Sequence, residues 1–135
     1  MNILVEQLTS LKLHGMALAI TELLAAKTPL SLVAGLKQLI EAETVERDIR
    51  RIRYQMTIAK FPHHKDFATF EYGASAIEKT TITPLCTGQF VQDAHNLILV
   101  GGTGTGKTHT AIALGTELVQ RGKKVRFYNA VDLIN

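Results

Sequence analysis

"GGTGTGKTHT", Gly101 to Thr110, is the stretch whose reading decides the fold. Gly101, four residues, then Gly106-Lys107-Thr108 fit the phosphate-loop spacing G-x-x-x-x-G-K-[ST]. Each position has a chemical reason. Gly102, Gly104 and Gly106 let the main chain take torsions that other residues resist, so its N–H groups can curl around an anion. The N-terminus of a following helix adds further donors. Thr103 and Thr105 fill the variable positions. Lys107 supplies a mobile positive charge to the outer phosphates, and the Thr108 hydroxyl is a candidate Mg²⁺ ligand.

The flanks suit that reading. Asn96-Leu97-Ile98-Leu99-Val100 is a short apolar run bounded by glycine and reads as a buried strand. Lys107 to Gln120 reads as a helix closed by Arg121-Gly122, with glycine available for a left-handed cap. Lys124 to Tyr128 reads as a second strand, and Val131-Asp132-Leu133 as the start of another helix. Strand, loop, helix, strand is the opening of an α/β nucleotide-binding domain.

Upstream the pattern is helical. Val5, Leu8 and Leu11 step at helical spacing, and Met16 to Ala26 carries apolar residues at 16, 20, 23 and 24. Thr28-Pro29 predicts a break and Ser31 an N-cap. A long helix follows to about Lys60, where Phe61-Pro62 ends it. Val45, Ile49, Ile52, Met56 and Ala59 fall within roughly 80° of its circumference. Between His63 and Gln92, punctuated by Gly73, Pro84 and Gly88, a linker with one or two short helices is expected, the last near Leu85 to Val91.

Composition excludes several classes. The chain has 135 residues, 46% apolar and 20% charged, which is ordinary for a globular protein. No stretch approaches the roughly 18 apolar residues of a membrane span. The N-terminus shows no signal-peptide pattern, which favours a cytoplasmic location. Cys86 is the single cysteine, so neither an internal disulfide nor a cysteine metal cluster is available. Net charge is +3, too mild to argue for nucleic acid by itself.

The distribution of charge says more. Arg47, Arg50, Arg51, Arg53 and Lys60 crowd the long helix, and Arg47, Arg50, Arg51 and Tyr54 share a face opposite the apolar stripe. One reading is a strip that contacts DNA phosphates. The other is a solvated face, because Glu43 lies four before Arg47 and Glu46 four before Arg50. His63 and His64 add a switchable charge beside Lys65 and are too few for a metal site. His109 reads as a surface position in the first helical turn after the loop. Phe67, Phe70 and Tyr72 either pack the linker or line a base pocket, for which Ile82 and Leu85 are further candidates.

These residues carry a family resemblance. "NLILVGGTGTGKTHTAIA", residues 96–113, resembles the phosphate-loop segment of IstB-like ATPases, helpers of insertion-sequence transposition related to DnaC-type helicase loaders of the AAA+ class. "EQLTSLKLHGMALAITELL" and "LIEAETVERDIRRIRYQMTIAKF" look like their N-terminal helices, "ATFEYGAS" like their connector and "VRFYNAVDLI" like their second strand and next helix. The resemblance implies ATP and Mg²⁺ at Gly101–Thr108, with double-stranded DNA, a transposase and sister subunits as partners. It implies an N-terminal portion only: a helical region (1–66), a connector (67–95) and the truncated start of an AAA+ domain (96–135). The family's Walker B acids, sensor and arginine finger have no counterpart here, so no catalytic set is complete and negligible turnover is expected. The alternative is a non-catalytic, helicase-loader-like module that binds DNA or a replication partner and keeps a vestigial loop.

Overall fold

Ser31 opens the longest element of the computed structural model, which describes all residues except Met1, Lys27, Thr28, Ser75 and Ala76. The break expected at Thr28 lies outside the described residues, as does the Ser75 end of the "ATFEYGAS" stretch within the connector. Ser31 Oγ accepts from the Ala34 N–H at 3.2 Å and Ser31 O from Gly35 N at 2.9 Å, so the expected N-cap is in place. The helices are α1 (Asn2–Ser10), α2 (His14–Ala25), α3 (Leu32–Ala59), α4 (Lys79–Leu85), α5 (Gln89–Gln92), α6 (Lys107–Gln120) and α7 (Ala130–Ile134). A 3₁₀ turn covers Tyr72–Ala74. The chain divides into two compact units, Met1–Arg51 and Ile52–Asn135.

In the first unit, Lys12, two residues after α1 ends at Ser10, takes a left-handed φ of 60°. The Leu13 N–H then reaches back to Leu8 O at 2.8 Å, a Schellman-type closure that satisfies a carbonyl the helix leaves open. The start of α2 lies directly on α3. A Cβ at Gly15 would stand 2.6 Å from Ala42 O and 2.8 Å from Glu43 Cα, so only glycine fits. Glu43, 6% exposed, accepts from the Met16 N–H at 3.1 Å, from the Gly15 N–H, and from Arg47 Nε at 3.0 Å. A carboxylate thus meets the N-terminal donors of α2, where both hydrogen bonding and the helix dipole favour it. Burial pushes this carboxyl up, but the bonds from Arg47, Met16 and Gly15 outweigh that and hold it below its ordinary value. Much of the apolar stripe of α3 stays open: Leu32, Leu36, Ile40, Val45 and Ile49 are exposed and Leu39 is buried.

The second unit is built around α6. Residues Ile112–Thr116, Leu118 and Val119 are buried, and Ile82, Cys86, Leu114 and Leu118 form a cluster joined by Phe67, Tyr72, Phe90 and Val125. Gly115 admits close packing: a Cβ there would lie 2.7 Å from the Phe61 ring and 3.3 Å from Val125. Gly88, with φ of 75°, separates the two short helices α4 and α5; one or two were expected in this stretch, the last near Leu85–Val91. After α6, Gly122 at φ 90° lets Lys123 N donate to Leu118 O at 2.9 Å.

The expected α/β architecture is corrected here. Among the described residues there is no strand and no sheet; the sequence's strand–loop–helix–strand order appears as irregular chain, α6 and irregular chain. A strand is stable only when its backbone groups find a ladder partner, and a parallel sheet also needs both of its faces covered. No backbone hydrogen bond links Asn96–Val100 to another described residue, and Ile98 and Val100 are 80% and 90% exposed. Lys124–Tyr128 is bonded elsewhere. The Phe127 N–H donates to Ala59 O at 2.7 Å, at the end of α3, and the Phe127 ring meets Phe61 edge-on at 6.4 Å.

Candidate functional site

The glycine loop leads from the irregular 96–100 run into α6 with two left-handed residues, Gly104 (φ 76°) and Gly106 (φ 86°). A Cβ on either would be strained, which is the reason glycine stands there. Gly106 is the N-cap residue of α6 and offers no side-chain cap, so the first-turn donors are not claimed by a cap side chain. Thr105 Oγ1 donates to Gly102 O at 2.8 Å and pulls the loop into a tight curve. Lys107 folds back over it: Nζ donates to Gly101 O and, at 2.6 Å, to Gly102 O. Thr110 Oγ1 donates to Gly106 O at 2.7 Å and anchors the loop's last residue to the helix. Thr108 is exposed. Thr103 to His109 line an open cavity of about 500 Å³. Left-handed glycines, an uncapped helix start and one ammonium group beside one cavity suit a polyphosphate.

A second cavity of about 370 Å³ adjoins the loop, lined by Lys65, Thr69, Phe70, Glu71, Gly104–Gly106 and His109. His109 is more than the surface residue expected. Its Nε2 lies 3.0 Å from Asp66 O, and its ring meets Phe70 edge-on at 5.0 Å. Phe70 is buried and also contacts Phe67 and Tyr72 at 6.0 and 4.8 Å, so these aromatics pack the linker beside α6. Asp66 accepts from Thr69 N at 2.9 Å and Thr69 Oγ1 at 3.0 Å. Those bonds, with the nearby His64, hold its carboxyl below the ordinary value. Sequence reading missed the Asp66–His109 link, whose partners are 43 positions apart.

The basic residues are not equivalent. Arg47, Arg50 and Arg51 stand 3.0, 3.6 and 3.8 Å from Glu43, Glu46 and Asp48. Arg53 and Lys60 are exposed and no ion pair among the described residues engages them. Groups of three or more His, Cys, Asp or Glu able to hold a metal are absent among the described residues. No described helix is long and apolar enough to cross a membrane.

A glycine loop closing on a helix start is an arrangement that suits an anionic group. The chain belongs to the IstB-like ATP binding proteins, whose family profile matches residues 6–135. It is 38% identical over 99 residues to a Geobacillus stearothermophilus protein named for insertion sequence IS5376 and for ATP binding; the match covers 73% of this chain and 39% of that one. Similarly named relatives from IS1162 of Pseudomonas fluorescens and IS21 of Pseudomonas aeruginosa are 33% and 32% identical. Those matches cover 95% and 89% of this chain, and 57% and 46% of theirs. The chain thus spans about half, or less, of the length of the curated relatives it matches.

Proposed function

We propose that this chain is the nucleotide-holding part of a helper protein of DNA transposition. Gly101, Gly102, Thr103, Gly104, Thr105 and Gly106 would surround the phosphates of ATP with backbone donors, and Lys107 would exchange its two carbonyl partners for phosphate oxygens. Thr108, exposed at the first turn of α6, would hold Mg²⁺, which when bound neutralises phosphate charge. The left-handed pair Gly104 and Gly106 beside an uncapped helix is the observation that carries this reading. Family membership and the insertion-sequence names of the relatives support it.

DNA, a transposase and further copies of the chain are the proposed partners. Arg47, Arg50, Arg51 and Arg53 on α3, with Lys60 at its end, are the proposed contacts to DNA phosphates. The first three would give up carboxylate partners to do so. The only carboxylate lining either cavity at the loop among the described residues is Glu71, in the adjoining one, and this chain would bind ATP without appreciable turnover.

Calorimetric titration of the 135-residue chain with ATP and Mg²⁺ tests the reading. Saturable heat is expected from the parent chain and none from Lys107→Ala, with both helical by circular dichroism. Equal binding by the two would remove the loop from the account. Robust hydrolysis that Lys107→Ala abolishes would refute the absence of turnover.

A further inference from the structure

Where α3 ends, the second unit gathers a set of groups that the loop does not use. Lys60 takes a left-handed φ of 55° immediately after the helix. The bond from Phe127 N to Ala59 O brings the 124–128 segment alongside. Arg126 then stacks its guanidinium 5.3 Å from the centre of the Tyr128 ring. Lys60, Arg126, Phe127, Tyr128, Asn129 and Asp132 are among the residues that line a cavity of about 330 Å³. Lys60, Arg126 and Asn129 are exposed and Tyr128 is half exposed.

From this arrangement we propose that the Lys60–Arg126–Tyr128 cavity is a DNA-backbone contact, taking phosphates of a duplex. The inference rests on the DNA-binding part of the reading above and not on its nucleotide part. It moves the centre of that contact to residues the sequence did not join.

Three features argue for it. First, the two cations are available. No ion pair among the described residues engages Lys60 or Arg126, whereas Arg47, Arg50 and Arg51 already have carboxylate partners. A cation that need not leave a carboxylate keeps the full benefit of releasing counterions from DNA. Second, Arg126 is held in place by the aromatic ring. Stacking on a ring leaves the in-plane N–H donors of a guanidinium free for oxygen, the arrangement that recognises phosphate well. Because the guanidinium occupies a ring face, Tyr128 is a support for the cation rather than a platform for a base. Third, Lys60, Arg126 and Asn129, three of the polar residues lining the cavity, are exposed, so their donors can be reached by a sugar–phosphate chain.

Asp132 opposes the contact, since its carboxylate lines the same cavity. Its backbone N–H is engaged by Asn129 Oδ1 at 2.7 Å, so the acid side chain is not what caps α7. Neutralising it removes a repelling charge and leaves the cap bond in place, which gives the proposal a test in the opposite direction.

The experiment measures binding of the 135-residue chain to a fluorescein-labelled duplex of mixed sequence over a salt series. Lys60→Gly deletes a charge at a backbone position that glycine adopts freely, so it keeps the turn. Arg126→Gln deletes the second charge. Removing one cation from the phosphates should lower the slope of log affinity against log salt by about 0.9. At about 0.1 M salt that is roughly eightfold weaker binding for one substitution and about sixtyfold for both. Asp132→Asn should bind tighter than the parent chain. ATP affinity should be the same in all of them.

If the double variant binds DNA like the parent while Arg47→Ala with Arg50→Ala weakens binding, the cavity is not the contact and the wider DNA reading survives. If the parent chain binds no duplex, this inference and the DNA reading fail together, and the Lys107 titration still judges the nucleotide site. Should Arg126→Gln unfold the chain, Lys60→Gly and Asp132→Asn decide the matter by opposite shifts. Unchanged affinity in both overturns the proposal.

Discussion

Two glycine-to-alanine substitutions in the first unit should move stability in opposite directions. At Gly15 an added Cβ would stand 2.6 Å from Ala42 O, where 3.4 Å begins ordinary contact, so α2 and α3 must part there by roughly 0.8 Å. Two of the obstructing atoms, Ala42 O and Glu43 Cα, belong to the helix backbone and cannot swing aside. The Met16 N–H to Glu43 bond, 3.1 Å at present, would stretch beyond hydrogen-bonding range. Overpacking costs about 1–3 kcal/mol. Weakening hydrogen bonds to a charged acceptor adds about 1.5–3 kcal/mol, and better helix propensity returns at most about 1 kcal/mol. The net expectation for Gly15→Ala is a loss of about 1.5–6 kcal/mol. At Gly35, inside α3, nothing lies within 4 Å of an added Cβ. Gly35→Ala should therefore stabilise by about 0.5–1 kcal/mol through propensity alone. Urea unfolding followed by circular dichroism measures both. A Gly15→Ala chain as stable as its parent would show that the α2–α3 contact is not as close as described.

Acid should loosen the same contact. The Glu43 carboxyl is held below its ordinary value in the folded chain. Its contribution is fully present above the unfolded value of about 4.3 and disappears as pH falls through the lower folded one. Unfolding midpoints measured from pH ~6 downward should fall in that window, and Glu43→Gln should flatten the fall. Cys86 should react slowly. Burial raises its thiol pKa, the Glu117 carboxylate adds to that and Arg121 opposes it. Alkylation near pH ~8 should be slower in the folded chain than in urea, and equal rates would place the thiol at the surface.

How much the sequence disclosed depended on the range of the interaction. Ser31 and the start of α3 were legible because a cap acts over three residues. Helix α6 was legible to its ends, since the glycine loop before it and Gly122 after it are local signals. Asn96–Val100 misled because an apolar run reports burial preference and says nothing of a ladder partner; here the described chain supplies none. Glu43 shows the same limit within a single side chain. Its spacing to Arg47 gave the ion pair correctly, while its grip on Met16, 27 positions away, left no mark on any local pattern. The spacing of Gly101–Thr108 was plain, but the return of Lys107 to two loop carbonyls was not. Likewise the pairing of Lys60 with the Arg126 region needs the chain to come back on itself.

That return has a temporal side. Ala59 and Phe127, sixty-eight positions apart, meet through one main-chain bond, with Phe61 and Phe127 beside it. Closing so large a loop must precede the reward from its contacts, which slows the search for the native arrangement. At about 5–20 residues per second on the ribosome, α3 would wait several seconds in a nascent chain before Phe127 emerges. Over that interval its C-terminal turn must rely on water, or on a chaperone, for the partner that translation has yet to deliver.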